Sequence, residues 1–428
     1  MTAETTRKPR RTPATSGGAP RGVGDEQGTR ASVLQRIDAE VDRLAAELQG
    51  WRHEVHAHPE LSWQELRTTA LVTDVLTRAG VKVTSLPGTG AIADLGAPEP
   101  RVRIALRADL DALPLDEATG LSFASRTPGA CHACGHDVHT VGVLGAGLAL
   151  RAVEDELIAG GIGVRLVFQP AEETIPGGAH AVMKHGGMEG VDRLLAVHCD
   201  PSIDVGTVGL RVGPITAASD SVHVTLTGRG GHTSRPHLTQ DLTFALGKVV
   251  TEVPAVLSRR VDPRAGTTLV WGVVRAGSAP NVIPTRAEAL GTIRMLDAET
   301  WDATGPLIDE IVQAVVAPYG VSAKVQYVRG VPPVDNDNAA VVALSKAAMA
   351  LFGVASVVPT KQSMGGEDLG WYLTDVPGAM ARLGTRTPGG PTHELHQGDL
   401  VVDESAVLVA AKLLAASVVT SVGVDGLS

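Results

Sequence analysis

GVRLVFQPAEE, residues 163–173, is a short apolar run that stops at a proline and two adjacent carboxylates. Two neighbours in the chain share its design. RVRIALRADLD (101–111) ends in two aspartates, and DRLLAVHCD (192–200) ends in a histidine and an aspartate. Apolar runs this short read as buried strands. Between the first and second lies HDVHTVGVLGAGLALRAVED (136–155), whose length and composition read as a helix. Strands alternating with helices predict a parallel sheet covered by helices. In such open sheets, sites form beyond the carboxyl ends of the strands. Three strands releasing polar groups at one edge therefore mark a candidate active site.

Outward from this centre the chain divides. SVLQRIDAEVDRLAAELQGWRHEVHAHPE, from Ser32, keeps helical spacing until Pro59, and QELRTTALVTDVLTRAG is a second helix closed by Gly80. After about residue 215 the texture changes. In SDSVHVTLTGRG, Val222, Val224 and Leu226 alternate with Ser221, His223 and Thr225, a strand with one wet face. A helix (TQDLTFALGKVVTEVPAVLSR), two strands (TTLVWGVVRAG, RAEALGTIRML) and a second helix follow. The predicted fold class is thus α/β: a mostly parallel catalytic sheet with helices on both faces, plus an inserted α+β lid. The expected boundaries are 31–214 and 328–428 for the catalytic domain and 215–327 for the lid. Residues 1–30, rich in Pro, Gly, Ser and Thr, read as a disordered tail without the apolar stretch of a signal peptide.

Composition narrows the class. A net charge of −10 argues against nucleic acid or an anionic membrane as the main partner. No run approaches the ~18 apolar residues of a membrane span. Three cysteines in 428 residues suit a reducing compartment, so a cytoplasmic location is expected.

The densest cluster is CHACGHDVH, 131–139. A redox C-x-x-C, a structural zinc knuckle and part of a catalytic metal site are all conceivable. The only other cysteine is Cys199, so a four-cysteine site is excluded. Cys134 and His136 could instead combine with Glu172 or Glu173, His198, and His393 or His396. Such a mixed sulfur, nitrogen and oxygen set suits one or two divalent transition ions. The Glu172–Glu173 pair permits one carboxylate to ligate while its neighbour faces the substrate. A water held by a divalent ion has its pKa lowered toward ~7, and a nearby carboxylate can take its proton.

With HAHPELSWQE, RIALRADLDALPL, CHACGHDVH, VFQPAEE, AVHCDP, GRGGHTSRPH, APNVIPTRAEALGTIR, MGGEDLGWYLTDVPGAMARLG and LHQGD in this order, residues 33–420 resemble a known family. It is the hippurate hydrolase and indoleacetyl-amino-acid hydrolase branch of the aminoacylase/carboxypeptidase metallohydrolases. The resemblance implies two divalent ions (manganese, zinc, cobalt or nickel) held by Cys134, His136, Glu173, His198 and His396, with the Cys134 thiolate where related peptidases have a bridging carboxylate. It implies Glu172 as catalytic base. It assigns His232 and Asn281 to the substrate carbonyl and Arg294 to the substrate carboxylate, with the histidine reaching across a homodimer formed by the lids. The implied reaction is cleavage of a small-molecule N-acyl amino acid to a carboxylic acid and a free amino acid.

Departures from the pattern are local. Cys131 stands where the family often has Met, and reads as a buried neighbour, not a ligand. Cys199 follows His198 and should turn away from the metals by strand alternation. His53, His56 and His58 resemble a metal triplet, yet the family gives them no ligand role. Competing readings are a metallopeptidase or carbamoyl-amino-acid hydrolase on the same fold, and a non-catalytic zinc or redox protein built on Cys131 and Cys134. The last has no use for Glu172, His232 and Arg294.

Overall fold

The strands Ile162–Gln169, Val102–Asp109 and Arg193–Asp204 lie side by side and parallel in a computed structural model that describes residues 23–422, with side chains from Arg30. Leu106 stands level with Leu166 on one side and Leu195 on the other. A fourth parallel strand, Gly378–Arg386, joins beyond Arg193–Asp204. Shorter strands finish both edges, and the inner one at each edge, Ala91–Gly96 or Val208–Leu210, pairs antiparallel with this centre. Ala91–Gly96 and Lys82–Ser85 lie at one edge, Val208–Leu210 and Val357–Pro359 at the other.

Every residue of Ile162–Gln169 is buried, as a strand covered on both faces must be. Alternation sends Ile104, Leu106 and Ala108 into one core with the helices Ala45–Ala57, Leu66–Arg78, His136–Arg151, Asn338–Phe352 and Ala406–Ser421. Ala105, Val167, Leu194 and Met380 enter the opposite core with Ala179, Val182 and Tyr372. The helix His136–Arg151 is almost wholly buried, and Gly142 lets it lie close against the helix Ala406–Ser421. A Cβ there would sit 2.8 Å from the Cβ of Ala410, so the two helices approach more closely than alanine allows.

The second unit is an antiparallel sheet in the order Thr268–Ala276, Arg286–Met295, Ala218–Thr227, Ser322–Val331. Helices Leu242–Arg260 and Ala298–Val316 cover one face, over Val222, Val224, Leu226, Ala289 and Ile293. Each helix starts on an aspartate: Asp241 accepts from the Phe244 N–H and Asp297 from the Thr300 N–H. Caps of this kind contribute about 1 kcal/mol each. The strand Ser322–Val331 is absent from the sequence reading, which ended this unit at residue 327. It starts two residues past Gly320 and pairs along Ala218–Thr227. Gly213–Pro214 pairs with Asp335–Asn336 where the chain leaves and rejoins the larger sheet.

The expected tail falls mostly outside the described residues, and from Val23 the chain is in the helix Val23–Arg43. Among the described residues, no helix is long and apolar enough to cross a membrane.

Candidate metal centre and active site

Polar groups from three parallel strands and the cysteine loop converge at the sheet's carboxyl edge. His198 lies within its strand, which runs on to Asp204, not at its end as the sequence suggests. Its Nδ1 donates to the carbonyl of Cys199 at 2.8 Å, which leaves Nε2 to accept from the Cys134 thiol, with 3.6 Å between nitrogen and sulfur. His136 is oriented in the same way, with Nδ1 donating to the Asp111 carbonyl at 2.8 Å. Its Nε2 then faces Asp109 Oδ2 at 3.8 Å, Glu173 Oε1 at 3.8 Å and Glu172 Oε2 at 3.9 Å. His396 has a left-handed backbone (φ 62°) and its N–H donates to the Ala133 carbonyl, one residue from Cys134. Its Nε2 lies 3.4 Å from Glu173 Oε1.

Of the five donor sets among the described residues, three overlap around the cysteine and the glutamate pair: Cys134, His136 and His198; Cys134, Glu173 and His396; His136, Glu172 and Glu173. Within each, all ligand atoms lie within 4.8 Å of one another. His136 Nε2 and Glu173 Oε1 are buried with no hydrogen-bond partner. Orphaned buried polar atoms are costly, and a cation among them removes that cost. Donors around a tetrahedral ion at ~2.0–2.3 Å stand roughly 3.3–3.8 Å apart, close to the separations here. The shared cysteine and glutamate suit two adjacent ions. The residues therefore fit a dinuclear divalent site.

His139, also close by, is already committed. Its Nδ1 donates to Asp109 Oδ1 at 2.7 Å and its Nε2 accepts the Cys199 N–H at 2.9 Å. Cys199 packs its sulfur against Gly135, away from the donors, and Cys131 is buried beside Leu113. His393 is half-buried and belongs to none of the donor sets.

The sequence reading missed the acidic wall behind Glu172. The buried Arg107 guanidinium meets Asp109, Glu367 at 3.0 Å and Asp368 at 2.8 Å, and also donates to Gln169. Glu367 and Asp368 form a cluster of three carboxylates with Glu172. Burial, reinforced by Glu367, Glu173 and Asp368, pushes the Glu172 carboxyl well above the usual range. The only sequence signal was the acid pair in MGGED. Burial and the nearby Arg382 hold His198 well below the usual histidine range, hence neutral and able to ligate.

His56 is structural. It and Arg52 both bind Asp137 Oδ2, at 2.8 and 2.9 Å, and His56 Nε2 reaches Glu117 at 3.3 Å. Against the effect of burial, Asp137 and Glu117 raise its pKa to about 9.

The lid residues are placed differently. His232 pairs with Val282 across a two-stranded ribbon, and Thr233 N–H donates to the Asn281 carbonyl. Both His232 and Asn281 are exposed, and among the described residues neither bonds to the cysteine–glutamate cluster. Arg294 is half-buried, between the buried Ile293 and Met295, and donates to the Met364 carbonyl at 2.7 Å.

Residues 105–420 match the sequence profile of Peptidase family M20/M25/M40. A Rhodococcus jostii protein provisionally named glutamate–cysteine ligase 2-3 is 45% identical over 392 residues. Those residues are 91% of this chain but 48% of that protein, so the chain spans about half of its length. The N-acetyl-L-cysteine deacetylase of Bacillus subtilis is 36% identical over 373 residues, 87% of each chain. The crystal structure of the YXEP protein of Bacillus subtilis, described as a dinuclear metal-binding peptidase of the M20 family, superposes with a TM-score of 0.78. It is 33% identical and covers 88% of this chain and 98% of that one.

Proposed function

Because the chain belongs to the M20/M25/M40 family of metal-dependent hydrolases, we propose that it cleaves the amide bond of N-acyl amino acids, releasing a carboxylic acid and a free amino acid. The observation that carries this is the bare, buried Nε2 of His136 facing Glu172 and Glu173 beside Cys134. Cys134, His136, Glu173, His198 and His396 would hold two ions. When bound, these supply Lewis acidity toward a carbonyl oxygen and toward water.

The chain's own residues do the rest. Glu172, its proton affinity raised by burial and by the neighbouring carboxylates, takes a proton at its carboxylate from the attacking water and returns it to the leaving nitrogen. His232 accepts the Ser234 N–H at Nδ1, so the neutral ring carries its proton on Nε2. An exposed Nε2–H is the donor that a developing oxyanion requires. Since among the described residues it makes no bond to the cluster of its own chain, it would serve a lid-paired homodimer's other site. Asn281, nearby on the same ribbon, would assist at that carbonyl. Arg294, with donors left beyond the Met364 carbonyl, would grip the substrate carboxylate.

The name of the Bacillus subtilis relative makes N-acetyl-L-cysteine the first substrate to try, with hippurate and indoleacetyl amino acids after it. Metal-reconstituted protein should release free amine from members of an N-acyl amino acid panel, faster than from matched dipeptides or carbamoyl amino acids. Preference for dipeptides would make the protein a peptidase.

A further inference from the structure

We propose that Asp111, which the reading above leaves without a part, is the positioning residue that sets both glutamates and His136 together. The inference rests on the metal-dependent reading of this site. The Asp111 carboxylate accepts the Glu172 N–H on Oδ1 and the Glu173 N–H on Oδ2, each at 3.0 Å. Ser62 Oγ donates to the same Oδ2 at 2.7 Å. The Asp111 main-chain carbonyl meanwhile takes the Nδ1–H of His136 at 2.8 Å. One residue thus anchors the base, one glutamate ligand and the ring of a histidine ligand.

The turn needs such an anchor. Ala171, just before it, is held at φ 52°, a left-handed conformation that costs a residue with a Cβ about 1–2 kcal/mol. Glu65 accepts the Ala171 N–H at 2.8 Å, and Asp111 takes the next two N–H groups. Two convergent N–H bonds to one carboxylate fix the peptide planes on both sides of Glu172. They thereby fix the divergence of its side chain from that of Glu173. On the other side, turning the His136 ring would break the bond that keeps its bare Nε2 toward the carboxylates. Asp111 is 1% exposed and its bonds all run to the protein, so its effect on substrate must pass through the groups it holds.

Asp111→Asn separates the two halves of this device. It keeps the volume and leaves the main-chain carbonyl on His136, but one carboxylate oxygen becomes an NH2 that confronts a glutamate N–H. The full-length variant should keep its far-ultraviolet circular dichroism and lose about 10- to 100-fold in Zn2+ affinity, measured by competition with a chromogenic chelator. At saturating metal kcat should fall while KM changes little. Ser62→Ala, which removes a single bond to Oδ2, should weaken Zn2+ about two- to tenfold. A folded Asp111→Asn protein with unchanged Zn2+ affinity and kcat would overturn the proposal. If that variant does not fold, unchanged affinity in Ser62→Ala overturns it instead. The metal readout needs no substrate. Affinity lost in Asp111→Asn while the natural protein cleaves no N-acyl amino acid would sink the functional reading and leave Asp111 standing.

Discussion

Arg294 donates to the main-chain carbonyl of Met364, so a lid strand is tied to the segment that carries Glu367 and Asp368 into the acidic wall. The arginine therefore has two possible duties, bracing that segment and gripping a substrate carboxylate. A substrate comparison separates them. Bracing affects every substrate alike, whereas a charge-assisted pair worth ~1.5–3 kcal/mol acts only on an acid. We expect Arg294→Ala to lower kcat/KM for an N-acyl amino acid about 10- to 150-fold beyond its loss on the amidated analogue. Equal losses on the two substrates would leave bracing as its only duty.

The cysteines of the C-x-x-C should differ sharply. Cys134 Sγ lies among the donors, while Cys131 is buried beside Leu113, with its main chain paired to that residue. Cys134→Ser should lose bound metal, by elemental analysis after dialysis, and Cys131→Ser should retain it. Chelation should abolish activity in the natural protein and divalent metal should restore it. Equal metal loss in both variants would mean the ligand assignment is wrong.

Glu172→Gln removes the proton acceptor without changing size. Because Glu173 and the other donors remain, the variant should bind metal normally and lose at least ~10²-fold in kcat. Near-natural turnover in the metal-loaded variant would take Glu172 out of the mechanism.

His56 offers a stability test on a buried pair that the proposed chemistry does not use. Its folded pKa, about 9, lies above its ordinary 6.5, so its contribution is complete below about pH 6.5 and lost as pH rises through about 9. The contribution is at most about 3 kcal/mol, from 1.36 kcal/mol per unit. Urea unfolding should show natural-protein stability falling between pH 7 and 9.5 by more than that of His56→Gln. Parallel pH curves for the two proteins would contradict the ionised His56–Asp137 pair.

Much of this was legible in the sequence because it is local. The runs around Leu106, Leu166 and Val197 are short and apolar, and each stops at polar residues, which is enough to specify buried strands and the edge where the site forms. Cys134, His136, Glu172, Glu173 and His198 were visible for the same reason: each belongs to one of those polar ends, or to the cysteine loop leading into the next helix. The lid strand Ala218–Thr227 declared itself by strict alternation.

What the sequence could not determine is which distant groups meet. Arg107 reaches Glu367 and Asp368 across about 260 residues, and only the sheet register and the burial of all three make them the wall behind Glu172. In water such a guanidinium and such acids would be ordinary surface charges; desolvated together, they shift one another's proton affinity. The different bonding of His136 and His139 is likewise tertiary. Both lie in the same nine-residue cluster, but the fold spends both nitrogens of His139 on Asp109 and Cys199, while it spends only one of His136. Sequence therefore determined the elements and the chemistry available at their ends. Folding decided which lone pairs stay free, because a hydrogen bond depends on positions in space that no local pattern encodes.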